Sequence, residues 1–287
     1  MKEHSQSMWL LAKRIAIRMA RLAILGWCLS ATLLWLGQDL LLFPGCPAPL
    51  GDPLAPGIDV QPLDLNVAPG VRLHGWLARP ANVPPATRLP TLLYFGGNAE
   101  DVSTTVVWAA RLGGWAVLTF NYRGFAGNPG SPSEQAFVAD ALAIHDLAAS
   151  LAGVDASHIA VAGRSLGSGV AVQLAARRPL NCLILITPYD SIAALAHRRF
   201  AWLPTDLILR NRFDSLAIAR HTQTPALLVI ADHDVVVPAE HGLALYAAWQ
   251  GPRQLLRSKE HGHGDILSDP AVWQSMRSWL APGLKRP

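Results

Sequence analysis

Gly163-Arg164-Ser165-Leu166-Gly167 follows the apolar run Ile159-Ala160-Val161-Ala162 and precedes a helical pattern over residues 168–178. A strand, a G-x-S-x-G turn and a helix, in that order, give the layout of a nucleophile elbow. The two glycines let the chain turn sharply, so that the Ser165 hydroxyl stands clear at the top of a sheet. A lone pentapeptide of this kind is weak, and its surroundings have to carry the reading. An acid and a histidine follow in the order Ser165, Asp234, His263, each just past a predicted strand.

Around this turn, strands and helices alternate. Residues 60–66 and 71–78 alternate apolar and polar across Ala68-Pro69-Gly70, which predicts a β-hairpin. Strands are expected at 91–95, 115–120, 159–162, 182–187, 226–231 and 253–257. Helices are expected at 103–112, 133–152 and 270–280. Such alternation implies an α/β fold with a mostly parallel central sheet and helices on both faces. In sheets of this type ligands bind at the carboxyl ends of the strands, where Ser165, Asp234 and His263 fall. Residues 188–224 break the rhythm and hold Tyr189, Phe200, Trp202, Leu207, Ile208, Leu209 and Phe213. They predict a small helical cap whose apolar faces either form an acyl-chain pocket or simply pack onto the sheet.

A serine hydroxyl needs a base to take its proton, and the base needs a partner to fix its tautomer. His263 is preferred as base because Gly262 and Gly264 flank it; His261 is its rival. Asp234 lies in the turn beyond the strand at 226–231, with Asp232 as rival, and either aspartate also suits a plain turn-and-cap role. The oxyanion of an acyl-transfer intermediate needs two donors. The backbone N–H of Leu166 and that of Asn98, in Gly96-Gly97-Asn98-Ala99-Glu100, are the candidates. Arg123 suits either an ion pair or contact with an anionic substrate group. His261-x-His263-x-Asp265 lacks the further ligands a metal site needs. No C-x-x-C spacing occurs among the three cysteines, so no metal and no cofactor is expected.

The 287 residues carry a formal charge of +4. Lys2, Lys13, Arg14, Arg18 and Arg21 against Glu3 already account for all of it, so the remainder sums to zero. A neutral body with a basic leader does not read as a nucleic-acid binder. An uncharged apolar stretch runs from Leu22 to Gly37, and Leu40 to Phe43 extend it beyond Gln38-Asp39. As a helix its first part spans about 24 Å, slightly less than a bilayer core of roughly 30 Å. The basic leader favours a retained single-pass anchor with a cytoplasmic N-terminus and the rest of the chain outside. A cleaved signal peptide and a buried core helix are the alternatives. The expected organisation is a leader at 1–21, an anchor at 22–43, a linker at 44–59 and a catalytic domain at 60–287.

Several further segments join the elbow: Tyr94-Phe95-Gly96-Gly97-Asn98-Ala99-Glu100, Asn121-Tyr122-Arg123-Gly124-Phe125, Pro132-Ser133-Glu134, Pro188-Tyr189-Asp190-Ser191, Asp234-Val235-Val236-Val237-Pro238 and Gly262-His263-Gly264-Asp265. In this order the chain resembles the membrane-anchored α/β-hydrolase-domain serine hydrolases, a group with lysophospholipase, depalmitoylase and serine-aminopeptidase-like members. The resemblance implies the α/β-hydrolase fold and Ser165–His263–Asp234 catalysis. It also implies an acyl lipid or other acyl ester or thioester as substrate. Gly96 departs from relatives that carry His there. A peptidase or amidase on the same fold, and a silent binding protein, are the competing readings.

Overall fold

The computed structural model describes residues 2–48 and 51–281. Met1, Pro49 and Leu50 of the expected leader and linker, and residues 282–287 of the expected domain, lie outside the described residues.

Helix α1 (Lys2–Leu42) runs without a break through the expected leader–anchor boundary. The basic residues change the character of its surface, not its backbone. Strands β1 (Ile58–Ala68) and β2 (Val71–Pro80) form the antiparallel hairpin expected around Ala68-Pro69-Gly70, and β1 takes the last two residues of the expected linker. Strand β3 (Leu89–Phe95) is followed by a 3-10 turn at Val102–Val107 and then the short α2 (Trp108–Arg111). A single helix was expected there. Three valines and two threonines crowd residues 102–107, and β-branched side chains resist a helical χ1. The Val102 N–H also goes to the Asn121 side chain.

The rhythm then continues with β4 (Ala116–Phe120), α3 (Glu134–Ser150), β5 (Val154–Arg164) and α4 (Leu166–Ala175). Next come β6 (Leu183–Ile186), α5 (Ile192–Arg199), α6 (Thr205–Ile208) and α7 (Ser215–Ala219). The chain closes with β7 (Ala226–Ala231), α8 (Ala239–Ala248), β8 (Arg253–Ser258) and α9 (Pro270–Leu280). Ser133, Ser191, Asp214 and Asp269 each cap the helix that follows by accepting a backbone N–H.

One eight-stranded sheet, in the order β1-β2-β4-β3-β5-β6-β7-β8, organises the molecule. Only β1 against β2 and β2 against β4 are antiparallel; the other pairs are parallel. Strands β4, β6 and β7 are buried along their whole length, which is why they read as continuous apolar runs. Two apolar layers result. Leu93, Leu118, Phe137, Val161, Val170 and Leu228 fill one, and Trp76, Leu92, Trp108, Ile184, Val229 and Trp279 the other. The cap consists of α5 and α6, which pack on each other, whereas α7 packs against α4 and α8.

The end of α1 is fastened to this body. Gln38 donates to the Ile208 carbonyl (3.1 Å) and accepts from the Arg210 N–H (2.8 Å). Asp39 accepts from Arg210 (2.8 Å) and Asn211 (2.9 Å). Phe43 is buried edge-on against Phe137. Within residues 8–42 of α1 an 18-residue stretch has mean hydropathy 1.6, so the helix is long and apolar enough to cross a membrane, which suits an anchor or a signal sequence.

Candidate active site

The elbow forms because β5 must reverse into α4 within one residue. Ser165 takes φ 50° and ψ −117°, a strained conformation for a residue with a side chain. Such positions cost on the order of 1–3 kcal/mol and persist only where the surroundings enforce them. Here the Ser165 N–H donates to the Ile186 carbonyl of β6 (2.9 Å), and its carbonyl accepts from the Ser168 N–H (2.9 Å) and hydroxyl (2.6 Å). The flanking glycines are required by space. A Cβ on Gly167 would overlap the Phe95 carbonyl, and one on Gly163 would overlap the Gly167 carbonyl.

Ser165 Oγ lies 3.0 Å from His263 Nε2, and His263 Nδ1 lies 2.7 Å from Asp234 Oδ2. An ionised aspartate only accepts hydrogen bonds, so Nδ1 carries the proton and Nε2 presents a lone pair to the hydroxyl. Asp234 is itself fixed. Its other oxygen accepts the N–H groups of Val236 (2.8 Å) and Val237 (2.7 Å), and its side chain is 1% exposed. The two rivals lie elsewhere. Asp232 pairs with Arg257, and His261 faces the Ser258 hydroxyl at 2.8 Å. Asp265 accepts the Gly262 N–H and so closes the turn that presents His263. Among the described residues, no group of three or more His, Cys, Asp or Glu is placed to hold a metal.

Leu166 is the first residue of α4, where an N–H has no partner within the helix. The Gly97 backbone runs beside Ser165: a Cβ there would sit 3.9 Å from Ser165 Cβ. The Gly97 N–H is already taken by Glu100 Oε2 at 2.8 Å. Asn98, next in the chain, borders the same cavity as Ser165 and Leu166. Gly96 is closely packed, since a Cβ there would come within 2.7 Å of Val102 Cγ1, so a larger residue would need Val102 to move. That cavity holds about 110 Å³ and is walled by Tyr189, Ile192, Leu195, Phe213 and Val237, together with Leu41, Leu42 and Phe43 of the α1 end.

Three features escaped the sequence reading. Glu100 accepts from Tyr94 Oη (2.7 Å) as well as from Gly97, and Arg164 reaches from Glu100 (3.4 Å) to the His263 carbonyl (3.0 Å). Burial, and then the Glu100 charge, push the Tyr94 phenol well above its usual range, so it stays a donor. Glu134 accepts the N–H groups of Arg212 (2.7 Å) and Phe213 (2.9 Å), joining α3 to the end of the cap. The α1 end contributes a wall of the cavity; the polar pair Gln38-Asp39 inside an apolar run was the only sequence signal. Arg123 forms a fork with Asp140 (Nε to Oδ2, 2.7 Å), with both side chains largely buried, so it is a structural ion pair.

No protein-family model matches the chain. An uncharacterized protein of Mycobacterium tuberculosis is 35% identical over 256 residues, covering 87% of this chain and 89% of that one. The lysophosphatidylserine lipase ABHD12 of Danio rerio is 33% identical over 179 residues, 55% of this chain and 46% of that protein. Among solved structures, an esterase of Pyrococcus furiosus superposes with TM-score 0.65 at 18% identity, covering 83% of this chain and all of that one. An acetyl xylan esterase from Paenibacillus superposes with TM-score 0.61 at 21% identity, over 79% and 86% of the two chains.

Proposed function

We propose, from the premise that the chain belongs to the α/β-hydrolase-domain family of hydrolases, that it is a membrane-tethered serine hydrolase of acyl esters or thioesters. The observation that carries the reading is the hydrogen-bonded series Ser165–His263–Asp234 at the mouth of an apolar cavity. Ser165 Oγ attacks the acyl carbonyl carbon while His263 Nε2 takes the hydroxyl proton. Asp234 holds the imidazole in its tautomer and stabilises the imidazolium that forms. The N–H groups of Leu166 and Asn98 receive the developing oxyanion. His263 then returns the proton to the departing alcohol or thiol, and water, deprotonated by His263, releases the acyl group from Ser165.

An acyl substrate suits the cavity better than a peptide amine. Among the described residues its walls are mainly aliphatic and aromatic, with no carboxylate to receive an ammonium group. A lipase among the relatives points the same way. Helix α1 acts as the tether, with its basic end on the cytoplasmic side and the hydrolase domain outside.

The test is fluorophosphonate labelling of the detergent-purified chain beside Ser165→Ala, followed by a panel of acyl esters. Labelling and turnover should vanish in the variant while its unfolding midpoint stays close to the parent. Equal labelling of both proteins would place the reactive group elsewhere.

A further inference from the structure

A second apolar cavity lies beside the first, between α1 and the cap. It holds about 80 Å³ and is bordered by Leu34, Leu41, Leu42, Phe200, Leu203 and Ile208. The first cavity, which reaches Ser165, is bordered by the same Leu41 and Leu42. Each volume is several times the roughly 10–15 Å³ that one water-sized group needs. Unlike polar cavities, those with apolar walls stay dry and accept apolar guests. Only these two leucines of α1 are common to both. Leu41 is 62% exposed and so has room to swing aside.

The outer wall of this second cavity is held in place deliberately. Along α1, residues Ser30, Ala31, Leu34, Gly37, Gln38 and Leu42 lose exposure at helical spacing. Trp27 Nε1 donates to the Trp202 carbonyl (3.0 Å), and Gln38 bonds on both sides of the Ile208–Arg210 segment. On the outside of the cap, Trp202 and Leu207 are exposed, and Val235 is exposed in the turn after Asp234. Exposed apolar side chains beside an apolar helix mark a surface made for lipid.

We propose that α1 is a wall of the acyl site as well as a tether. A long acyl chain esterified at Ser165 runs through the first cavity, past Leu41 and Leu42, into the space between α1 and the cap. The substrate is therefore a long-chain acyl lipid whose tail enters from the bilayer side along α1. This rests on the serine-hydrolase reading and adds the path of the chain and the length class of the substrate.

The test uses the full-length chain in phospholipid vesicles and a fluorophosphonate bearing a palmityl chain with a terminal diazirine. Ser165 Oγ displaces fluoride from phosphorus; photolysis then expels dinitrogen, and the carbene inserts into whatever surrounds the chain end. Adducts are expected within residues 34–42 and 196–209. A butyl analogue should mark only the walls of the first cavity. Leu34→Trp and Ala196→Trp, which fill the second cavity, should lower the ratio of palmitate to butyrate ester turnover about tenfold or more. Reaction of each variant with a short fluorophosphonate reports that it is folded; should one fail to react, the other carries the comparison. Ser165 labelling with adducts confined to other segments, or an unchanged ratio, overturns the proposed path alone. Absence of any reaction at Ser165 overturns the serine-hydrolase reading, and the path with it.

Discussion

Arg164 precedes Ser165 in the chain, yet its guanidinium holds the backbone carbonyl of His263, ninety-nine residues later, at 3.0 Å. The same side chain lies 3.4 Å from Glu100, whose carboxylate anchors Gly97 beside the proposed oxyanion donor. One half-buried side chain thus ties together the loop that carries His263 and the loop that carries Asn98. Removing it should leave every proposed catalytic group present but loosely placed. Arg164→Met is expected to lower kcat on the order of a hundredfold, the scale of a misplacement of about 1 Å, with a much smaller change in KM. Arg164→Lys should recover little, because a point charge does not span both partners. Steady-state kinetics on a soluble short-chain ester read this directly. An unchanged kcat in folded Arg164→Met would remove Arg164 from the positioning role.

Asp234→Asn separates orientation from folding. An asparagine oxygen can still accept from Val236 and Val237, so the turn survives. Its amide nitrogen would face His263 Nδ1, however, and favour the wrong imidazole tautomer. A fall in kcat of about 10⁴ is expected by analogy with other serine triads. The unfolding midpoint should stay near that of the parent. If turnover persists, another acid serves the histidine.

Glu134 connects α3 to the backbone of Phe213, which sits at φ 41° and walls the first cavity. Glu134→Ala leaves two backbone N–H groups without their acceptor. The Phe213 N–H is buried and costs about 1–3 kcal/mol when left unsatisfied, whereas the exposed Arg212 N–H can turn to water. Urea unfolding should show a lowered midpoint with an unchanged slope. A variant as stable as the parent would mean that water replaces the carboxylate without cost.

Acid sensitivity should involve Asp269, the cap of α9. Its carboxyl is held below the ordinary 3.8, first by the Ser258 hydroxyl, against the opposing effect of burial, and then by the Ala271 N–H and the nearby His261. A carboxyl depressed in the fold binds fewer protons there than in the unfolded chain. Its stabilisation is therefore complete above the ordinary value and fades as pH falls from 3.8 through the lower folded value. Asp269→Asn should be less stable than the parent at neutral pH, and the gap should narrow below about pH 4. Thermal midpoints across that range decide it; a gap independent of pH would assign the effect to packing.

Much of this architecture was legible because periodicity and turn chemistry agreed. The strand at Ala226–Ala231 and the helix at Pro270–Leu280 appear with the bounds their apolar patterns imply. The helix expected at 103–112 was misjudged because β-branched residues and the Asn121 side chain compete locally with an α-helical ladder. At the site, Ser165, Asp234 and His263 announce themselves through glycine-flanked or post-strand turns. Arg164 and Glu100 do not, since their pairing is set by the spatial neighbourhood of β3 and β5, which lies outside any local pattern. The role of Leu41 and Leu42 was hidden for a related reason. An apolar run reads as membrane anchor whether or not one of its faces also lines a cavity.

Fixing Gln38, Asp39 and Phe43 to the body has a mechanical consequence. A catalytic domain hung on a loose cord would sweep a hemisphere and sample substrates well above the lipid surface. Here the last turn of the helix is itself fastened to the body, so the mouth of the Ser165 cavity keeps one bearing relative to the helix axis. Tilting the helix tilts the cavity with it. On the proposed tethering, bilayer thickness, which influences helix tilt, thereby becomes an input to the alignment of Ser165 with its substrate.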